Sequence, residues 1–322
     1  MTSPMRILIV KTSSMGDVVH ALPAVSDIRR AFPVAHIDWL VEASFAAIPR
    51  LHSGVNRVLP MAWRRWRKQL STGAAWRAMR ELRTHLREQP YDCVLDLQGL
   101  LKSALWARQA HGPVLGYDRA SAREPLAAWL YARGAAVSRD LHAVQRCRLL
   151  AAAHLGYPPP ETLPTFGLAT PAKSVWKPRG DSAALIPCAS RAEKIWPEAR
   201  WITVGRRLKA MGLSPLVIWG TEEEQVRAER IAEGCEGEVP PFLNVHDMAA
   251  LLASTRRVVG LDTGFTHLAA ALGKPTIGIY CDHDPGLAGI VGPGGVHSVG
   301  GKGQVPSLQE VMALVERQQP LR

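Results

Sequence analysis

The fold is decided by the stretch MRILIVKTSSMGDVVHALPAVSDIRRAF, residues 5–32. It opens with a short apolar run, Ile7 to Val10, whose composition predicts a buried strand. The turn TSSMGD interrupts this run, and apolar residues then recur at helical spacing up to the Phe32-Pro33 boundary. A strand, a tight turn and a helix in this order are typical of a parallel sheet covered by helices.

The same alternation continues along the chain. Further strands are predicted at 36–42, 57–62 and 93–99, and a basic helix at about 76–88. Residues 157–171 contain five prolines in fifteen positions and predict a linker. After it, strands are predicted at 183–188, 213–220, 256–262 and 275–281, a glycine-rich loop at 292–303 and a last helix at about 307–318. We therefore predict an α/β chain with two Rossmann-like domains that face each other across a cleft.

The composition excludes several classes of protein. The chain has 322 residues, 47% of them hydrophobic, which is too many for a disordered protein. No apolar run reaches the roughly 18 residues of a membrane-spanning helix, and the N-terminal apolar run is too short for a secretory signal, so we expect a cytosolic protein. Its five cysteines are scattered and form no CxxC pair, which argues against a disulfide framework or a zinc site.

The positive charge is concentrated in one half. Of the net charge of +11, residues 1–170 carry +10 and residues 171–322 carry +1. Residues 60–87 hold eight Lys and Arg against a single Glu, and tryptophans alternate with cations in AWRRWRK. A solvated helix face normally mixes both signs, so this segment predicts an anionic ligand: nucleic acid, anionic lipid or a phosphorylated acceptor. The same half also contains Arg123, His142 and Arg146.

The loop after the first strand is the first candidate site, because ligands of open α/β sheets bind beyond the carboxyl ends of the strands. It matches neither GxxxxGK[ST] nor GxGxxG, so a nicotinamide-dependent oxidoreductase is not indicated. Asp17 could accept a proton from a substrate hydroxyl or simply cap the following helix, and spacing alone favours the cap.

Three predicted strand ends in the second half carry groups suited to a nucleotide. Asp262-Thr263-Gly264 opens a helix whose N-terminus suits a phosphate, with His267 one turn in; capping by Asp262 or Thr263 is an equal alternative. Ser190 and Lys194 offer a hydroxyl and a cation to a diphosphate. Glu222 to Glu224 could hold ribose hydroxyls, although helix-dipole complementarity is the better explanation for two of the three.

Several motifs, taken in order, resemble glycosyltransferase family 9. They are RILIVKTSSMGDVVHALPA, RRWRK, LDLQGLLKSAL, AREPLA, HAVQR and VVGLDTGFTHLAAALGKP, and the resemblance covers essentially the whole chain. Within the family, the KTSSMGD loop resembles the branch that adds the first heptose of the lipopolysaccharide core.

The resemblance implies a GT-B fold, with domains at 1–165 (acceptor) and 166–305 (donor) and a C-terminal helix, 306–322, that packs back on the N-terminal domain. The implied reaction is inverting transfer of L-glycero-D-manno-heptose from ADP-heptose to the first Kdo of Kdo-lipid A, with no metal and no cofactor. It further implies a monomer on the cytoplasmic face of the inner membrane, without a nucleic-acid partner.

The resemblance also assigns site residues. Asp17 matches the general base and Lys194 a catalytic cation that holds the leaving ADP. The matched donor-binding residues are Ser190, Lys194, Glu224, Leu243, Asp262, Thr263, Gly264 and His267. The matched acceptor-binding residues are Lys11, Ser13, Ser14, Met15, Gly16, Arg64, Arg65, Arg67, Lys68, Arg123, His142 and Arg146.

Three positions depart from the family pattern. Ala189-Ser190 replaces two threonines, Leu243 replaces a methionine near the adenine, and Glu223 could take the place of Glu224. These departures concern donor affinity. Another family 9 transferase, with a different sugar nucleotide or a later core acceptor, remains the alternative function.

Overall fold

The computed structural model describes residues 4–171 and 174–317. The chain divides into two compact units, Met1–Ala169 and Thr170–Arg322. The sequence-based boundary at 165/166 lies within the proline-rich linker close to this division. Among the described residues, no helix is long and apolar enough to cross a membrane.

The first unit is a parallel six-stranded sheet with covering helices. Its elements are β1 (Arg6–Val10), α1 (Met15–Ala31), β2 (His36–Glu42), α2 (Ala47–Arg50), β3 (Arg57–Met61), α3 (Trp63–Trp66), α4 (Gly73–Arg87), β4 (Cys93–Asp96), α5 (Leu101–Ala107), β5 (Val114–Tyr117), β6 (Arg133–Ala135) and α6 (Ala143–Leu155). The strand order is β3-β2-β1-β4-β5-β6, the Rossmann order. The order in which successive strands are added reverses between β1 and β4, which run parallel. A ligand site is therefore expected beyond the carboxyl ends of these two strands.

The second unit is also a parallel sheet with helices. Its elements are β7 (Ser182–Ile186), α7 (Glu198–Ala210), β8 (Ser214–Val217), α8 (Glu222–Cys235), α9 (Val245–Ser254), β9 (Arg257–Leu261), α10 (Gly264–Ala271), β10 (Thr276–Tyr280), α11 (Pro285–Ala288), β11 (Val296–Gly300) and α12 (Leu308–Arg317). The strand order β11-β10-β9-β7-β8 reverses between β7 and β9. The loops after these two strands therefore meet at the second switch point.

The two units confirm the predicted α/β class with two Rossmann-like domains. The sequence analysis did not identify β5 and β6, and the glycine-rich loop predicted at 292–303 contains strand β11, which pairs with β10. Apolar alternation is weak in all three strands because they are short or lie at a sheet edge. All five cysteines are free and buried.

The last helix, α12, packs in the core of the second unit. In α12, Val311 and Val315 are fully buried in the core of the second unit, where they pack with residues such as Trp201 and Ile277. The Val315 carbonyl also accepts a hydrogen bond from buried Arg257 at 2.5 Å. The described part of the predicted 306–322 segment thus contributes to the core of the second unit, and its packing against the N-terminal domain stays a prediction. Residues 318–322 lie outside the described residues.

Candidate active site

The loop after β1 is held in place by one side chain from the end of β4. The Gln98 amide oxygen accepts hydrogen bonds from the Thr12 backbone nitrogen at 2.6 Å and hydroxyl at 2.8 Å, and from the Ser13 nitrogen at 3.3 Å. Its amide nitrogen donates to the Ser13 carbonyl at 2.8 Å. Gln98 is buried, so these bonds fix the loop backbone at the switch point of the first sheet.

Asp17 stands at the start of α1 and faces two cations. Its carboxylate lies 2.9 Å from Arg123 Nη2 and 3.9 Å from Lys11 Nζ. The other oxygen accepts hydrogen bonds from the Ser14 backbone nitrogen at 3.0 Å and the Ser14 hydroxyl at 3.1 Å. The capping role favoured by spacing is therefore present, and an ion pair that spacing could not indicate is present beside it.

The charge state of Asp17 follows from these contacts. Burial disfavours the carboxylate, but the positive charges of Lys11 and Arg123, together with the Ser14 hydrogen bond, outweigh it and hold the pKa of Asp17 well below its usual range. Asp17 is therefore ionised at neutral pH. Exchange of one of these cation contacts for another partner would raise its pKa and make it a stronger base.

Arg123 reaches Asp17 because the turn after β4 brings its loop close. Gly99 has φ +70°, which favours glycine, and its carbonyl accepts a hydrogen bond from the Glu124 nitrogen at 3.0 Å. A Cβ at Gly99 would lie 3.3 Å from the Arg123 nitrogen and 3.0 Å from the Tyr117 ring. The turn is ordered by buried Asp96, which accepts hydrogen bonds from Gln98 and Gly99.

Arg146 and His142 lie near the same place. Arg146 donates at 2.6 Å to the carbonyl of Ser121, which is two residues before Arg123 along the chain. Its guanidinium also lies over the Tyr117 ring, 4.8 Å from the centroid. His142 caps α6 through Nδ1, and its ring packs against His20 of α1 at 5.5 Å. The structure thus brings Arg123, His142 and Arg146 to the Asp17 side of the first unit.

The basic segment is connected to the same loop by a lysine that the sequence analysis did not single out. Lys102, on α5, donates to the Ser13 hydroxyl at 2.8 Å. Burial and the nearby positive charges of Arg64 and Arg67 lower the pKa of Lys102, against attraction from Glu42. The Arg64 backbone nitrogen is anchored by Glu42 at 3.2 Å. Arg65, Arg67 and Lys68 are exposed at and just beyond α3.

Lys194 forms the centre of the switch point in the second unit. It makes an ion pair with the carboxylate of Asp262 and contacts the Asp262 carbonyl at 3.4 Å. The other carboxylate oxygen of Asp262 lies 3.2 Å from His267 Nε2. Burial opposes ionisation of Asp262, but the hydrogen bonds from His267 and Lys194 hold its pKa well below the usual range.

The start of α10 lies directly beside this ion pair. Thr263 is the N-cap residue, and within the described part of the chain its side chain makes no capping hydrogen bond. The helix begins at Gly264, where the absence of a side chain leaves room at the first turn. Thr263 therefore occupies the N-cap position without using its side chain as a cap. A helix N-terminus of this kind beside a lysine suits a phosphate.

Three further predicted donor residues have different surroundings. Ser190 is exposed in the loop after β7. Glu224 completes a capping box of α8: its Oε2 accepts hydrogen bonds from the Gly220 and Thr221 nitrogens at 2.9 and 3.1 Å. Leu243 is buried in an apolar cluster with Leu216 and Met248. The structure therefore gives Glu224 and Leu243 structural roles in addition to those that the resemblance implies.

Gln98 and Lys102 are the residues that sequence reasoning missed as site residues. Both belong to LDLQGLLK, the segment that ends β4 and opens α5. The signal was available in the topology, because the strand that neighbours β1 across the switch point also presents its carboxyl end there. Among the described residues, no group of three or more His, Cys, Asp and Glu is placed to hold a metal ion.

Comparison with known proteins agrees with this geometry. Residues 79–314 match the model of glycosyltransferase family 9 (heptosyltransferase). The chain is 44% identical over 296 residues to lipopolysaccharide heptosyltransferase 1 of Pseudomonas aeruginosa. This alignment covers 91% of this chain and 83% of that relative.

Solved structures of E. coli heptosyltransferase WaaC are similar over nearly the whole chain. The structure with ADP has a TM-score of 0.89 at 39% identity, and the structure with ADP-2-deoxy-2-fluoro heptose has a TM-score of 0.87 at 37% identity. Each comparison covers 98% of this chain and 100% of the other. Two Rossmann-like units of this topology, together with these matches, establish that the chain has a GT-B-like fold and belongs to glycosyltransferase family 9, the heptosyltransferases.

Proposed function

We propose that this enzyme transfers L-glycero-D-manno-heptose from ADP-heptose to the first Kdo of Kdo-lipid A, with inversion and without a metal, in lipopolysaccharide inner-core biosynthesis. The observation that carries the proposal is the Asp17 carboxylate, placed between Lys11 and Arg123 at the switch point of the first sheet. Asp17 is suited to act as a base, and Lys11 and Arg123 are suited to bind an acidic acceptor sugar. The name of the Pseudomonas relative and the ADP-heptose analogue bound to WaaC support this choice of acceptor and donor.

On the acceptor side, Asp17 takes the proton of the attacking hydroxyl while the new oxygen–carbon bond forms at the anomeric carbon. A carboxylate or phosphate of the acceptor competes with Asp17 for the Arg123 guanidinium, which is 43% exposed. Because that contact is one reason for the low pKa of Asp17, losing it makes Asp17 a stronger base when the acceptor is bound. Binding of the acceptor thereby prepares the base.

On the donor side, the bond between the anomeric carbon and the phosphate oxygen breaks, and ADP leaves with the electron pair. Lys194 and the N-terminus of α10 supply fixed positive charge for this leaving group. Asp262 positions Lys194 through their ion pair. Ser190, Thr263, Gly264 and His267 are the proposed further contacts to the diphosphate, while Glu224 and Leu243 line the nucleoside side.

The remaining acceptor contacts are proposed for two groups. Ser13, Ser14, Met15 and Gly16 shape the loop around the attacking hydroxyl, and the cations bind the acceptor's phosphates and carboxylates: Lys11, Arg64, Arg65, Arg67, Lys68, Arg123, His142 and Arg146. Because the acceptor is a membrane lipid, we place the enzyme as a monomer on the cytoplasmic face of the inner membrane, attracted by anionic lipid.

The direct test is an assay of ADP release with ADP-heptose and Kdo-lipid A, followed by mass analysis of the product. A panel of other sugar nucleotides and of core acceptors that already carry heptose separates the proposed reaction from those of other family members. Transfer to the heptosylated acceptors but not to Kdo-lipid A would contradict the proposal.

The role of Asp17 is tested by Asp17→Asn, which preserves shape but removes the base. We expect kcat to fall by about 10²–10⁴-fold, the usual contribution of general-base catalysis, with the KM for ADP-heptose nearly unchanged. Asp140→Asn, at an exposed position of the same unit, is the matched control. Retention of wild-type kcat by Asp17→Asn would remove Asp17 from the role of base.

A further inference from the structure

An apolar groove lies in the first unit beside the Asp17 loop, and the mechanism above does not use it. Its volume is about 450 Å³, within the size range of small-ligand sites. The apolar part of its lining comes from α3, α4 and α5: Trp63, Trp76, Met79, Leu105 and Trp106. Trp106 belongs to the buried hydrophobic core of the first unit. Its ring packs edge to face against that of Trp63, with the ring centroids 6.2 Å apart.

The walls of the groove are accessible. Trp76 is 52% exposed and Leu105 is 50% exposed, although both are large apolar residues. Adjoining exposed apolar residues that form a concave surface mark a binding site more often than a chance arrangement. The shape and the lining suit a hydrocarbon chain.

The charged residues that line the groove are cations, namely Arg80, Arg83 and Lys102. An apolar groove with positive charge at its edge is complementary to a lipid that joins a hydrocarbon chain to an anionic head group. A neutral hydrophobic ligand would make no use of this positive charge.

Lys102 connects the groove to the candidate active site. Its ammonium group donates to Ser13 at 2.8 Å, and the neighbouring Ser14 holds Asp17. The order across this face is therefore the Asp17 base, then the cations around Lys102, then the apolar groove. A lipid acceptor has its sugar, its phosphate and its acyl chains in the same order.

We infer that this groove binds one fatty-acyl chain of the lipid acceptor while the acceptor's sugar lies at Asp17. The inference rests on the proposed function, since it assumes a lipid acceptor. It adds a site for the acyl chain, so the enzyme distinguishes acylated from deacylated acceptors by direct contact.

The first test compares an acylated acceptor with its deacylated, water-soluble form. Leu105→Glu places a charge in the groove at an exposed helix position that tolerates glutamate. We expect the ratio of kcat/KM for the acylated over the deacylated acceptor to fall about tenfold, the factor that burial of roughly two methylene groups supplies. Leu126→Glu, at a 55% exposed leucine of the same unit that does not line the groove, should leave the ratio within about twofold of the wild type.

The outcomes separate the possible explanations. An unchanged ratio in Leu105→Glu would overturn the inference, and an equal fall in Leu126→Glu would replace it by general contact with the micelle or bilayer. Absence of transfer to either acceptor in the wild type would instead refute the proposed function. Binding of a hydrocarbon chain in the groove would then be decided by the second test, which does not depend on catalysis.

The second test measures binding without catalysis. Calorimetric titration with n-dodecyl phosphate below its critical micelle concentration should show binding with a negative heat-capacity change, weakened at least about tenfold by Leu105→Glu. Equal affinity for inorganic phosphate, or no effect of Leu105→Glu, would show that the hydrocarbon chain is not bound in the groove.

Discussion

At the scale of single residues, the central feature is that Asp17 is stabilised as an anion by the cations that an acidic acceptor would also contact. Burial alone would raise its pKa, while Lys11 and Arg123 lower it by more. A general base needs affinity for a proton, and the low pKa makes the Asp17 carboxylate a weak base. It becomes a stronger base when one of these cation contacts is exchanged.

Replacing Arg123 tests this balance. Arg123→Gln removes a positive charge 2.9 Å from Asp17, so the pKa of Asp17 rises. Activity requires ionised Asp17 and is lost as the pH falls through its pKa. The acidic limb of the kcat/KM–pH profile, which reports the free enzyme, should therefore move to higher pH. Arg119→Gln, an exposed arginine a few residues away, is the control. A loss of activity without any shift of the limb would indicate that Arg123 only binds the acceptor.

Lys194 gives a second prediction at this scale. Lys194→Gln removes the cation beside the start of α10, and we expect kcat/KM for ADP-heptose to fall by about 10–100-fold, the usual value of a hydrogen bond to a charged group. The KM for the acceptor should change little. Lys209→Gln, which removes a surface ion pair with Glu236, serves as control. If kcat/KM for ADP-heptose is the same in Lys194→Gln as in the control variant, Lys194 does not contact the leaving group.

Whether the role of a single residue could be predicted from the sequence depends on how far along the chain its partners lie. Asp17, Lys194 and Asp262 occur in short motifs at strand ends, so sequence located them. Gln98 acts on Thr12 across 86 positions of sequence, and its role depends on β1 and β4 being neighbours. A hydrogen bond of that kind follows from the sheet order, which spacing along the chain does not contain.

At the scale of elements, α12 belongs to the second unit. Its apolar positions Val311 and Val315 enter the core formed by α7, β10 and their neighbours. Sequence predicted the helix from its 3.6-residue period, but periodicity specifies only which face is apolar, not the surface that this face covers. The expectation that the helix leaves its own domain came from resemblance alone.

A substitution in α12 tests its place in the core. Val315→Ala removes two fully buried methyl groups, so we expect the free energy of unfolding to fall by about 2 kcal/mol. If α12 stabilises the donor unit, the loss should appear in the thermal transition that ADP raises. Val305→Ala, at a 53% exposed position just before the helix, should cost less than about 0.5 kcal/mol. Equal effects of the two variants would contradict the assignment.

At the scale of the whole molecule, the two halves of the chain differ in net charge. Residues 1–170 carry +10 and residues 171–322 carry +1, and the division of the chain at Ala169 falls at nearly the same place. The alternation of strands and helices predicted both units, while the edge strands β6 and β11 were missed because they are short or contain glycine.

The charge separation predicts different responses to salt. Between about 0.05 and about 0.5 M NaCl, the KM for a deacylated acceptor should rise severalfold, because screening weakens attraction to the exposed cations of the first unit. The KM for ADP-heptose should change by less than about twofold, because its contacts are few and partly buried. Steady-state kinetics with one substrate varied at a time gives both values. Equal sensitivity of the two KM values would contradict separate acceptor and donor units.

The buried cysteines have a practical consequence. Burial raises the pKa of the Cys93 and Cys188 thiols to about 12, and all five thiols are inaccessible in the folded chain. Alkylation should therefore follow unfolding, since the thiolate is the reactive form. Cys93 and Cys147 lie in the first unit, while Cys188, Cys235 and Cys281 lie in the second. Mass spectrometry of alkylated peptides can thus time the opening of each unit separately, with no label added to the protein.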